Sequence, residues 1–124
     1  MFSLVPSRGP SSITLTDISS TQITVNWSPL RQQYHNGRLL GYKVYFRRTA
    51  YFSLPGQNNA SILNVDNPNV TRVSLTQLSP GQRYDIYVSA YTSKGEGPHS
   101  SRYYVKTGTL RYPRWDGGGG GATQ

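Results

Sequence analysis

The feature that most constrains the fold is the stretch LSPGQRYDIYVSAYTSKGEGP, residues 78–98, where two kinds of side chain alternate between two turns. One row is apolar and consists of Tyr84, Ile86, Val88 and Ala90. A two-residue period is typical of a β-strand with one buried face. Tyr84 begins the buried row, so its hydroxyl must find a hydrogen-bond partner when the ring leaves water.

The same period recurs along the chain and predicts further short strands. The alternating segments are ITLT, ITVNWS, LGYKVYFRR, VTRVSLTQL and SRYYVKT. Residues 49–69 are rich in glycine, proline and asparagine and are expected to hold one or two short edge strands whose place the pattern does not fix. No helical period of useful length competes. The sequence therefore predicts an all-β fold, a seven-stranded antiparallel sandwich of two sheets.

The length of 124 residues fits one domain, because about 100 residues already fill a typical domain. Residues 1–9 are interpreted as an N-terminal lead-in, 10–109 as the domain, and 110–124 as a flexible tail or linker. Five consecutive glycines in that tail would lose much backbone entropy on ordering. No stretch approaches the roughly 20 apolar residues of a membrane span, so direct membrane insertion is not expected.

The residues that carry chemistry predict neither an enzyme nor a metal or cofactor site. The chain has no cysteine, and its two histidines, His35 and His99, lie in different predicted loops. No serine is placed beside a general base on a strained turn, and the five acids form no obvious catalytic pair. We therefore expect no catalytic residue, no metal and no cofactor.

Several short motifs in a fixed order resemble the fibronectin type III family over about residues 5–109. The motifs are ITVNWSP with Trp27, GYKVYF, LTQLSPGQRYDIYVSAY, and GEGPHS before the last strand. The related immunoglobulin sandwich expects a cysteine two residues after the strand tyrosine, where this chain has Ile86. The resemblance implies an immunoglobulin-like sandwich without that disulfide.

The resemblance also implies a tyrosine corner, in which a buried tyrosine bonds the backbone a few residues upstream. The family pattern L-x-P-G-x-x-Y places Leu78 and Tyr84 at its ends. A structural core containing Trp27, Tyr42, Leu78 and Tyr84 is therefore expected.

The outer face of the sheet is the first candidate interaction surface. Alternation, together with the strand order of the family, places on it Lys43, Tyr45, Arg47, Tyr87, Tyr91 and Tyr104. Tyrosine and arginine are enriched at binding hot spots, although such residues also pair across strands and only stabilise a sheet. The loops SPLRQQYHNGRL and TSKGEGPH form a second candidate surface, and no Arg-Gly-Asp integrin motif is present.

Charge and sequons bear on partners and location. The formal charge is +8, which favours a sulfated glycan as an alternative partner, although the basic residues are scattered. The sequence has three N-x-S/T tripeptides, and Asn59 and Asn69 are the candidate glycosylation sites because Asn26 lies within a predicted strand. Two plausible acceptors favour the secretory route.

The sequence thus predicts a non-catalytic extracellular or cell-surface module of a larger protein. It would act as a spacer and as a protein-interaction unit in adhesion or receptor recognition, with neighbouring domains and a protein as partners and without nucleic acid. The alternatives are a module that binds heparin or sulfated glycans, and a structural or accessory module of an intracellular or secreted multidomain protein.

Overall fold

The computed structural model describes residues 5–49 and 60–109, in which eight antiparallel strands form two sheets. In chain order the strands are β1 (Ser11–Thr16), β2 (Ile23–Ser28), β3 (Gly41–Thr49), β4 (Ser61–Val65), β5 (Arg72–Leu75), β6 (Arg83–Thr92), β7 (Gly95–His99) and β8 (Tyr103–Lys106). One sheet has the order β1-β2-β5. The other has the order β4-β3-β6, and both β7 and β8 pair with the remaining side of β6. The predicted two-sheet sandwich is confirmed.

The described strands number eight, where the sequence pattern predicted seven, because the last strand is divided. The segment GEGPH, expected to be part of a turn, pairs with β6 as β7, and residues 100–102 separate it from β8. Glycine and proline are depleted in strands, which is why the pattern of this segment does not indicate one. The edge strand sought within residues 49–69 is β4, which pairs with β3, while residues 50–59 lie outside the described part.

The core lies between the sheets and is built from the inward rows of both. Its central members are Ile23, Val25, Trp27, Tyr42, Val44, Leu75, Ile86 and Val88. Trp27 and Tyr42 meet edge to face with ring centroids 5.3 Å apart. The Tyr42 hydroxyl accepts a hydrogen bond from the Leu30 N–H at 3.1 Å, and burial raises the pKa of this phenol. Both aromatic rings are therefore buried, and the phenol of Tyr42 keeps a partner.

Tyr84 packs in the same core with its hydroxyl bound to the turn before β6. The Ser79 N–H donates to this hydroxyl at 2.8 Å, five residues upstream. Thr107, which follows β8, accepts from the Gln82 N–H at 2.9 Å and donates to the Ser79 carbonyl at 2.6 Å. The turn is thus held from both sides, and burial of the tyrosine leaves no unpaired hydroxyl.

Residues 5–9 do not extend away from the domain but cross it. The Ser7 N–H donates to the Tyr34 carbonyl at 2.9 Å, in the loop after β2. On the other side the segment lies on β7, where a Cβ at Gly97 would be 2.5 Å from the Pro6 carbonyl oxygen. The absence of a side chain at Gly97 permits this approach. The lead-in segment therefore contacts the five-stranded sheet before the chain enters β1 of the other sheet.

Candidate interaction surface

The outer face of the five-stranded sheet is where the predicted interaction residues meet. The strand register places Tyr45 opposite Tyr87, Arg47 opposite Asp85, and Asp85 opposite Tyr104. One row further along, Arg83 lies opposite Lys106. These rows run across β3, β6 and β8. They divide the face into an aromatic half around Tyr45 and Tyr87 and a cationic half around Arg47, Arg83 and Lys106.

The aromatic half is largely covered by its own side chains. Tyr45 and Tyr87 stack in parallel with centroids 4.9 Å apart, and His99 of β7 lies against both rings at 4.9 and 4.7 Å. Tyr87 faces outward, as the alternation predicted, yet it is only 8% exposed. The covering His99 and Arg102 come from a region that the sequence pattern did not assign to this face, so Tyr87 offers little surface to a partner.

Glu96 anchors this aromatic cluster from β7. Its carboxylate accepts hydrogen bonds from the Tyr45 and Ser89 hydroxyls and lies 3.3 Å from His99 Nε2. Burial raises the pKa of Tyr45 to about 12, and the bond to Glu96 adds to that shift. Burial alone would also raise the pKa of Glu96, but the hydrogen bonds from Ser89 and Tyr45 outweigh it and hold this pKa below the ordinary 4.5. The carboxyl group of Glu96 is therefore ionised at neutral pH.

We expect the Glu96 cluster to make the domain acid-sensitive. A carboxyl whose pKa is lowered by folding adds stability that is complete above its unfolded pKa and is lost as the pH falls through the folded value. The free energy of unfolding should therefore fall as the pH drops below the ordinary pKa of 4.5 and towards the lower pKa of folded Glu96. The free energy of unfolding is measured with urea at several pH values and plotted against pH. The slope of this plot should be shallower for Glu96→Gln than for the parent chain. Equal slopes would contradict this role.

Asp85 lies beneath two arginines in the cationic half. It is 1% exposed, and its Oδ2 accepts hydrogen bonds from Arg47 at 2.9 Å and from Arg102 at 3.1 Å. Its Oδ1 has no hydrogen-bond partner among the described residues. The Arg102 guanidinium also stacks over the Tyr87 ring at 4.7 Å. One buried negative charge is thus shared by two partly exposed positive charges, which leaves an excess of positive charge at the surface.

Lys43 and Tyr91 form a separate pair toward the opposite end of β3 and β6. The Tyr91 hydroxyl donates to Asp66, and this bond, more than burial, raises the pKa of Tyr91 to about 12. The Lys43 ammonium lies 5.4 Å from the centre of the Tyr91 ring. Both side chains are therefore engaged within the domain.

Tyr104 is the predicted interaction residue with the most accessible side chain described here. It is 64% exposed at the centre of β8. We call the surface around it the cationic strip, which consists of Arg47, Arg83, Arg102, Tyr104 and Lys106. Like charges directly opposite each other destabilise a sheet, so the Arg83 and Lys106 pair is not explained by folding alone. Of these residues, sequence reasoning had singled out Arg47 and Tyr104 and had missed the other three.

The two predicted loops differ in how much surface they provide. The loop after β2 contains a short 3₁₀ helix, Gln32–Tyr34, and lines a cavity of about 670 Å³ with Pro68 and Asn69. The second predicted loop is shorter than expected, since residues 95–99 form β7. Residues 5–49 and 60–109 hold no cluster of three or more His, Cys, Asp or Glu that could bind a metal. Nor does that part of the chain contain a helix with the length and hydropathy to cross a bilayer.

The predicted sequons have different surroundings. Asn69 is exposed in the turn between β4 and β5, whereas Asn59 lies outside the described residues. The predicted tail, residues 110–124, also lies outside the described residues, and all of the predicted domain boundaries stay predictions.

The sequence is similar to a known domain family and to regions of larger proteins. The profile of the fibronectin type III domain matches residues 8–106. A MAM and fibronectin type III domain-containing protein 1 from Acropora millepora is 52% identical over 104 residues, which are 83% of this chain and 23% of that protein. The neural cell adhesion molecule L1.1 of Danio rerio is 33% identical over 107 residues, 80% of this chain and 9% of that protein. The chain thus spans less than a quarter of either relative.

A solved structure supports the same comparison. The third fibronectin III domain of the human KIAA0343 protein superposes with a TM-score of 0.78 at 27% identity, covering 89% of each chain. The likeness extends over nearly the whole of both chains.

Proposed function

The chain belongs to the fibronectin type III family, and from that premise we propose that it is a non-catalytic module of an extracellular adhesion or receptor protein. Similarity to a protein named as a cell adhesion molecule supports the location and the role. The closed sandwich, with its lead-in segment bound across one end, suits a spacer that holds neighbouring domains at a fixed separation. Within that role the module would also bind a protein partner.

We assign the protein contact to the cationic strip. The observation that carries this assignment is Tyr104, which is 64% exposed and lies among four basic side chains. Of these four, in the described part of the chain, only Arg47 and Arg102 are paired with an acid, the buried Asp85. A tyrosine presents much contact area with few rotatable bonds, and arginine adds directional hydrogen bonds. The expected partner is therefore a protein surface with acidic residues around a pocket for one aromatic ring.

A second candidate function is binding of a sulfated glycan by the same strip. It is favoured by the opposed Arg83 and Lys106, whose repulsion an anion lying between them would relieve. Such binding would be strongly weakened by salt, because the charges are exposed and screened.

One binding experiment separates the two functions. Fluorescently labelled chain is titrated onto cultured cells and the bound fraction is measured by flow cytometry, before and after treatment with heparan-sulfate lyase or with protease. We expect Tyr104→Ala to weaken binding to untreated cells by about 30-fold, the size of a hot-spot loss. Binding that survives the lyase and disappears with protease supports a protein partner, whereas loss after the lyase supports the glycan.

The matched control is Ile62→Ala. Ile62 is 48% exposed on β4, opposite Tyr45, so it lies on the same face at the other edge of the sheet. Its replacement should leave binding unchanged. Equal binding by Tyr104→Ala and the parent chain, with both chains folded, would refute the assigned surface.

A further inference from the structure

The cavity beside the loop after β2 is lined in part by Asn69, one of the candidate glycosylation sites. We propose that Asn69 carries an N-linked glycan and that the first sugar residues of this glycan lie in the cavity next to it. The inference rests on the proposed extracellular location, since the modifying enzymes act on the secretory route. It concerns a surface separate from the cationic strip.

Asn69 has the exposure and the freedom that an acceptor needs. It lies in the tripeptide Asn69-Val70-Thr71, in the exposed turn before β5. The turn is held by Asn67, whose side chain accepts from the Asn69 N–H at 2.9 Å and whose carbonyl accepts from the Val70 N–H at 3.2 Å. The Asn69 side chain itself makes no hydrogen bond to the described residues, so its modification would break none of them.

Asn26, the acceptor of another tripeptide, provides the contrast. It lies in β2, the central strand of its sheet, and its amide donates to Thr16 Oγ1 at 3.1 Å and to the Thr14 carbonyl at 3.4 Å. The next residue, Trp27, is buried in the core. A sugar on Asn26 would remove these bonds and crowd the adjoining strand, so the fold disfavours this site.

The cavity next to Asn69 suits a sugar. It is widely open to solvent, and its volume of about 670 Å³ falls within the range of roughly 300–1,000 Å³ for small-molecule sites. Pro29 and Pro68, which are not buried, contribute apolar lining that can pack against the C–H face of a sugar ring. Gln32 and Arg38 contribute polar groups that can bond to sugar hydroxyls. Because Asn69 forms another part of the lining, a glycan attached there begins beside the cavity.

The covalent step needs only the ordinary donor, an oligosaccharide linked to a lipid diphosphate. The side-chain nitrogen of Asn69 forms a bond to the anomeric carbon of the first N-acetylglucosamine. The bond from that carbon to the diphosphate breaks, the lipid diphosphate leaves with the bonding electrons, and the amide gives up one proton. No oxidation or reduction takes place.

The position of Asn69 is compatible with the proposed protein contact. Asn69 follows β4, and β4 and β8 lie at opposite edges of the five-stranded sheet. The cavity lining includes no residue of the cationic strip, so a glycan there would leave the strip accessible.

Attachment is tested by mass spectrometry of the full chain secreted from mammalian cells behind an added signal peptide. We expect the mass of one N-glycan to be lost in Asn69→Gln and equally in Thr71→Ala, which keeps the asparagine. Ser28→Ala, which removes only the Asn26 tripeptide, should lose nothing. An unchanged glycan mass in both Asn69→Gln and Thr71→Ala would overturn the site. Because the signal peptide is supplied, that result would leave the proposed module role standing.

Packing of the sugar is tested by thermal unfolding. Secreted chain trimmed to a single N-acetylglucosamine is compared with the enzymatically deglycosylated chain, in which Asn69 has become aspartate, and with Asn69→Asp as a reference. The sugar should raise Tm by a few degrees, and the double change Gln32→Ala and Arg38→Ala should reduce this difference. An equal Tm with and without the sugar would overturn the placement in the cavity.

Discussion

Replacing Trp27 with alanine is expected to lower the free energy of unfolding by about 3–5 kcal/mol. Trp27 is 4% exposed on the central strand of the three-stranded sheet and meets Tyr42 of the other sheet. Its removal leaves a cavity between the sheets that the paired strands cannot close by moving together. Small domains are stable by only about 5–15 kcal/mol, so this variant should be close to the limit of folding.

Urea unfolding followed by circular dichroism measures this loss, and Trp27→Phe is the matched control. The indole Nε1 of Trp27 has no hydrogen-bond partner among the described residues. Replacement by phenylalanine therefore reduces the side-chain volume without removing a described hydrogen bond. We expect the phenylalanine variant to lose less than half as much stability as the alanine variant. A loss below about 1 kcal/mol for Trp27→Ala would mean that the ring does not bridge the two sheets.

Gly41→Ala should be the second most damaging change, although it adds only one carbon atom. A Cβ at Gly41 would lie 1.9 Å from the Val65 carbonyl oxygen and 3.1 Å from the Asn67 nitrogen. Both contacts are with backbone at the end of β4, which cannot rotate away as a flexible side chain would. We expect β3 and β4 to separate locally at a cost of about 1–3 kcal/mol or more.

Gly108→Ala is the control for this prediction. The nearest atoms to a Cβ at Gly108 are 3.6 Å away, an ordinary contact distance. The same denaturant unfolding should therefore show a change within about 0.5 kcal/mol, typical of a surface substitution. Similar losses for the two alanine variants would show that the close approach at Gly41 is not rigid.

Much of the fold could be predicted because short local sequence patterns determine it. The alternation from Tyr84 to Ala90 specifies a strand, an inward face and a buried phenol without any knowledge of its neighbours. Strand β7 could not be predicted, because glycine and proline are depleted in strands and its sequence is GEGPH. Its pairing with β6 is set by the turn before it. Residues 49–69 were ambiguous for a related reason, since β4 is an edge strand with contacts on one side only.

The candidate surface was less predictable because it depends on register between distant strands. Alternation placed Tyr87 on the outer face, but its cover by His99 and Arg102 follows from the path of the divided last strand. Asp85 likewise becomes buried only when Arg47 and Arg102 reach it from two sides. The juxtaposition of Arg83 and Lys106 needs the same register, and no local pattern in either segment indicates it.

The crossing of residues 5–9 has a mechanical consequence. The segment is hydrogen bonded to the loop after β2 and lies on β7, while β1, into which it leads, belongs to the opposite sheet. A stretching force applied from the N-terminal side would thus load both sheets before it could peel β1 from β2. Forced unfolding is governed by the rate at which the first contacts break. The contacts of residues 5–9 with the loop after β2 and with β7 would therefore delay extension of the domain under tension.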